Sequence, residues 1–151
     1  MEPQNEVIET IEYKGKKIEL MKGLPKNFWP QMKERFPWAD EKDTFLSFGN
    51  KIYIPGWWED HMLAHELTHC ERQGFTEEGA IEWYKKYIND DEFLVAEELL
   101  AYREQYSWFK YECLDKNKRL KFAELLAIEF SGPRYGKIIT YSNAFLSIIE
   151  K

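Results

Sequence analysis

The hydropathy pattern changes period once along the chain, and that change limits the fold more than any other feature. Up to Ile54 apolar residues tend to alternate with polar ones; from about Asp60 onward they recur every three to four positions. Alternation sends successive side chains to opposite faces of a strand, whereas the longer period gathers them on one stripe of a helix. Val7-Ile8-Glu9-Thr10-Ile11-Glu12-Tyr13 and Lys17-Ile18-Glu19-Leu20-Met21 flank Lys14-Gly15-Lys16, which predicts a β-hairpin. A second hairpin is expected from Thr44-Phe45-Leu46-Ser47-Phe48 and Lys51-Ile52-Tyr53-Ile54 around Gly49-Asn50, with Pro55-Gly56 ending it. Between them, Leu24 to Phe36 reads as a short helix interrupted by Pro30.

The helical part divides at its own punctuation. One helix is expected from about Asp60 to Gln73, stopped by Gly74, and a second from a Thr76 cap to Asn89. A long third helix should run from Asp91 to Cys113, a fourth from Asn117 to Phe130, and a short last one should be capped by Ser142. Strands first and helices after define an α+β chain, a small N-terminal sheet of hairpins followed by four to five helices. Repeats and Pro/Gly/Ser linkers are absent, so the 151 residues read as one domain with one core.

Composition then removes several functions. Lys plus Arg number 21 against 27 Asp plus Glu, a net charge of −6, which is the wrong sign for holding a phosphate backbone; no nucleic-acid partner is expected. Two cysteines, Cys70 and Cys113, are too few for a disulfide framework. The start, Met1 to Lys14, lacks the basic and apolar regions of a signal peptide, and no run approaches the roughly 18 apolar residues of a membrane span. The expectation is a cytoplasmic protein without a membrane partner. Histidine is scarce, and all three copies, His61, His65 and His69, fall within nine residues.

That cluster carries the chemistry. His65-Glu66-Leu67-Thr68-His69 is an HExxH sequence on an expected helix. Histidines four apart lie one turn apart on one face and can reach a single metal ion, while Glu66, offset by about 100°, can meet a metal-bound water. Leu63, Leu67 and Cys70 form a separate stripe that can anchor the helix to a core, which makes Cys70 a buried structural thiol. The bland alternative is a solvated helix face that happens to carry histidine. His61 stands one turn further upstream; three turns span about 12 Å, too far for one ion, which places His61 at the rim of the site or behind a ligand.

A zinc site needs at least a third protein ligand, and no histidine follows His69. A carboxylate or thiolate must serve. On a helical wheel of the third helix, Leu94, Val95, Leu99, Tyr102, Tyr106, Phe109 and Cys113 form the core-facing stripe, and Glu98 falls inside it. Glu97 and Glu104 lie on the wetter side. A carboxylate in an apolar stripe is costly unless paired or bound to metal, so Glu98 is the candidate and Glu97 the fallback, with a salt bridge from Glu98 to a buried cation as the alternative. Trp57 and Trp58 could line a cleft or simply pack. Asn89-Asp90-Asp91-Glu92 is most simply a helix start.

These residues resemble a known family. His65-Glu66-Leu67-Thr68-His69, followed 29 residues after His69 by Glu98-Leu99-Leu100-Ala101-Tyr102, is similar to the gluzincin branch of HExxH zinc metallopeptidases. Small phage- and prophage-encoded proteins described as metallopeptidases also carry such helices and a late stretch like Ser131-Gly132-Pro133-Arg134-Tyr135-Gly136. The likeness covers about Thr44 to Tyr141. It implies a zincin-like fold, one zinc ion per chain on His65, His69 and Glu98, and Glu66 as general base in hydrolysis of a peptide or protein substrate. It also implies an oxyanion donor, for which Tyr102, Arg134 and Tyr135 are the candidates, with Tyr135 preferred. Tyr102 stands where many gluzincins have an Asp that holds a zinc-bound His. The competing expectations are a non-catalytic phage-accessory or binding protein whose zinc is structural, and a metal hydrolase acting on a non-peptide amide.

Overall fold

Lys14 and Gly15 take φ values of 51° and 77°. Two adjacent residues in the left-handed region form the tight turn whose twist matches a two-residue hairpin. In the computed structural model, which describes residues 5–26, 28–40 and 42–150, this turn joins β1 (Val7–Tyr13) to β2 (Lys16–Lys22) with Ile11 opposite Ile18. The second expected hairpin also forms, as β3 (Leu46–Phe48) antiparallel to β4 (Lys51–Ile54). The two hairpins join through a parallel pairing of β2 with β4, giving the sheet order β1-β2-β4-β3.

The segment between the hairpins corrects one expectation. Pro30 does not interrupt a helix but stands in the first turn of α1 (Trp29–Arg35), where its missing N–H costs nothing. The remaining helices are α2 (Asp60–Arg72), α3 (Glu77–Asn89), α4 (Asp91–Glu112), α5 (Lys116–Phe130) and α6 (Tyr141–Ile149). Residues Pro133–Tyr135 add a single 3-10 turn. Thr140, not Ser142, caps α6, its hydroxyl accepting from the Asn143 N–H. The described residues thus form an α+β structure of four strands and six α-helices. No helix among them is long and apolar enough to cross a membrane.

Two apolar clusters hold these elements. Ile18 and Leu20 of β2 and Ile52 and Ile54 of β4, each fully buried, project from one face of the sheet with the period of two that strands impose. They pack against Cys70 of α2, with Leu63 and Leu67 at the margin, so the apolar stripe of α2 lies on the sheet. Each such side chain is worth roughly 2 kcal/mol of transfer free energy. The second cluster joins α1 and the helices α3 to α6, with Tyr102, Phe130 and Leu94 at its centre.

Helix α2 is pinned at its C-terminus. Gly74 at φ 71° ends it, with Phe75 N–H donating to the Cys70 carbonyl and Gly74 N–H to that of Glu71. Gln73 then ties α2 to the β3–β4 hairpin: its side-chain oxygen accepts from the Gly49 N–H at 2.7 Å and its amide donates to the Ser47 carbonyl at 3.3 Å. Gly49 is required there, since its φ is 68° and a Cβ would stand 2.7 Å from the Thr76 carbonyl carbon.

Candidate metal centre

With its apolar stripe on the sheet, α2 turns His65 and His69 toward α4. Both are buried, and their rings meet at 4.9 Å between centroids. Glu98 of α4 faces them. His69 Nε2 lies 2.9 Å and 3.1 Å from the two Glu98 oxygens, and His65 Nε2 lies 3.3 Å from Oε2. The Tyr87 hydroxyl donates to Glu98 Oε1 at 3.3 Å. These donor atoms lie within 4.8 Å of one another, and the group could hold a metal ion. Donors placed tetrahedrally at about 2.0 to 2.1 Å from an ion stand about 3.3 Å apart, close to the spacing already present. Two imidazole nitrogens and a carboxylate are also a suitable donor set for a borderline ion.

Electrostatics bind the three into a unit. Burial disfavours a charged His65, but the Glu98 carboxylate outweighs it and raises His65 to about 9. Burial likewise opposes ionisation of Glu98, yet the two imidazoles hold it well below the usual carboxylate range. Glu66, also buried, moves upward because desolvation exceeds the pull of His65 and His69. It lines the same cavity of about 340 Å³ as His65, His69 and Glu98. The cavity is also lined by apolar and aromatic side chains, including Trp29, Phe36, Leu46 and Trp83, the last with its ring 5.1 Å from that of His69.

The remaining expected residues sort out by contact. Glu97 is not on a wet side: it is 3% exposed and held by Arg72, whose Nε and Nη2 donate to its two oxygens at 2.9 Å and 3.1 Å. The wheel missed this because Arg72 comes from α2 and covers Glu97 only once the helices pack. Glu97 is therefore satisfied, whereas Glu98 has no cationic partner other than the imidazoles among the described residues. Tyr102 is fully buried beneath His65, ring centroids 4.5 Å apart, and its hydroxyl is 2.9 Å from that of Tyr135. Tyr135 and Arg134 line the cavity, and Arg134 also pairs with Glu129 at 3.1 Å. Trp57 lines the cavity too, while Trp58 packs with the sheet cluster. Burial pushes the Cys70 thiol far above its usual range. Asp90 caps α4, accepting from the N–H groups of Glu92 and Phe93.

One contact residue escaped the sequence reading. Gln105, 5% exposed, brings its side-chain oxygen to 2.9 Å from His65 Nδ1 and its amide nitrogen to 2.9 Å from His61 Nδ1. His61 Nε2 in turn lies 2.6 Å from Glu59 Oε2. The available signal was position: Gln105 follows Glu98 by seven residues, two turns along the same face.

No family model matches the chain, and searches of curated proteins and of solved structures return no significant match.

Proposed function

We propose that the chain is a zincin-like metallopeptidase of the gluzincin type, with one zinc ion held by His65, His69 and Glu98. The observation that carries this reading is the position of Glu66. It adjoins a ligand in sequence, is buried, has a raised pKa and lines the cavity onto which the three donors open. A purely structural site has no use for a fourth ionisable group poised there. Zinc, when bound, supplies a Lewis acid that polarises a substrate carbonyl and acidifies a water. Glu66 accepts the proton of the attacking water and returns it to the leaving amine, a role its place beside the ligand His65 on the cavity wall allows. Tyr135 stays protonated, since burial places its pKa far above neutrality, and its hydroxyl can donate to the oxyanion while Tyr102 holds it. The apolar and aromatic lining of the cavity favours a substrate that buries an apolar side chain.

A structural zinc in a binding or phage-accessory protein is the second reading, favoured by the depth at which all three donors are buried. One experiment separates them. Purified protein should contain about one zinc per chain, and Glu66→Gln should retain it while losing hydrolysis of an unfolded protein substrate. Zinc binding with no hydrolysis by wild type would favour the structural reading; protein prepared without chelator that holds no metal would end both.

A further inference from the structure

The hydrogen-bonded chain behind His65 has a polarity that its chemistry fixes. The Glu59 carboxylate accepts, so the 2.6 Å contact places a proton on His61 Nε2. The Gln105 amide nitrogen that faces His61 Nδ1 can only donate, so Nδ1 presents a lone pair. That lone pair takes an N–H from Gln105 at 2.9 Å, which turns the amide so that its oxygen faces His65. The oxygen can only accept, so His65 Nδ1, 2.9 Å away, holds a proton, and Nε2, on the side of Glu98 and His69, is the nitrogen left for a metal ion. The opposite amide orientation would offer an N–H to His65 Nδ1 and put the proton on Nε2, where no metal could bind. His61 is held in place edge-on to Phe122, ring centroids 4.9 Å apart.

We propose that Glu59, His61 and Gln105 form a polarity relay that sets an acceptor against His65 Nδ1 and keeps a proton there, so that Nε2 is the nitrogen a metal ion takes. Gln105 and His61 are then positioning residues, and the third histidine has a function distinct from ligation. The role rests on the metal-centre reading above, but the protons on His61 Nε2 and His65 Nδ1 do not. His69, by contrast, has a buried Nδ1 without a partner among the described residues, so the relay orients one ligand only.

The test uses the small number of histidines. Long-range proton–nitrogen correlation spectra of the ¹⁵N-labelled full chain contain three ring systems, assignable by single substitution. The relay requires His61 to be Nε2–H and His65 to carry a proton on Nδ1, in the metal-free protein and with zinc added. Gln105→Met should weaken zinc ten- to a hundredfold in chelator competition, the usual effect of removing a hydrogen-bond partner behind a ligand, and should move the His65 nitrogen signals. Gln105→Glu keeps an acceptor toward His65 and should hold zinc within a few-fold of wild type, while His61, now between two carboxylates, becomes protonated on both nitrogens. That rescue, read with the His61 signature, separates positioning from a general loss of packing and stands even if the Met variant folds poorly. Finding His61 as Nδ1–H in wild type overturns the relay, as does unchanged zinc affinity in Gln105→Met. If wild type binds no zinc, the metal-centre reading fails, and the metal-free spectrum still decides the relay.

Discussion

Glu98→Gln and Glu97→Gln are the same chemical change at adjacent positions of α4, and the site requires them to differ. Glu98 faces two imidazoles, whereas Glu97 faces the guanidinium of Arg72. In the metal-free protein, Glu98→Gln removes one partner of a buried charged group and should cost on the order of 3 kcal/mol. Glu97→Gln leaves Arg72 half-exposed and free to rehydrate, so about 1 kcal/mol is expected. The decisive quantity is the change in melting temperature that zinc causes within each variant, in which those metal-free costs cancel. With free zinc at about a thousand times its Kd, wild type should gain about 4 kcal/mol, or roughly 8 to 16 °C for a domain of this size. Losing the anionic ligand, if it raises Kd a hundredfold, leaves a tenfold excess and a gain of about 1.4 kcal/mol, or roughly 3 to 6 °C. Glu97→Gln should keep the wild-type shift. Differential scanning calorimetry with and without zinc measures all three. Equal loss of the shift in both variants, or a larger loss in Glu97→Gln, would refute the assignment of Glu98 as the ligand.

Other parts of the molecule make separate predictions. A Cβ on Gly79 would stand 1.8 Å from the Gln73 carbonyl oxygen, so Gly79→Ala should destabilise by on the order of 3 kcal/mol, read as a fall in urea midpoint without a change in slope. Cys70 is fully buried with a raised pKa, so iodoacetamide should label Cys113 first and Cys70 only on unfolding, as mass spectrometry of the digested protein would report. Tyr84, Tyr87, Tyr102 and Tyr135 have pKa values raised well above 10, chiefly by burial. The unfolded chain then loses these protons first, so stability holds below pH 10 and falls above it, by up to about 1.4 kcal/mol per pH unit for each tyrosine. Unfolding free energies at pH 9, 10 and 11 should show that decline, with tyrosinate absorbance rising as the fold is lost.

What the sequence made legible follows the range of the interactions involved. His65 and His69 share a helix face because of a local four-residue spacing, and no tertiary contact was needed to place them together. Both hairpins were legible for the same reason, since each hairpin's turn residues and alternation lie in one continuous stretch of the chain. The parallel join of β2 to β4 was not, because it depends on a return of the chain across α1 and carries no local signature. Pro30 was misread by its identity alone: proline ends a helix from inside but begins one at its first turn, and only the position of Trp29 in the core decides between these.

The long helix α4 marks the boundary more sharply. Scoring its wheel by apolar residues correctly found that Glu98 lay in the buried stripe, because an unpaired carboxylate there needs an explanation. The same scoring lost Gln105, a neutral side chain whose burial calls for hydrogen bonds but not for a counter-charge, and it placed Glu97 outside the core. Both errors have one cause. A wheel shows which residues share a face, while the width of the buried face depends on the neighbouring helix, and α2 brings to α4 polar partners as well as apolar ones: His65, His69 and Arg72. The buried face of α4 therefore takes in Glu97, Glu98, Ala101, Tyr102 and Gln105, a set defined by what α2 offers and not by hydropathy. For a helix expected to complete a metal centre, the polar residues one and two turns from the candidate ligand belong in the core stripe from the start, because a buried histidine ligand creates a demand for an acceptor behind it.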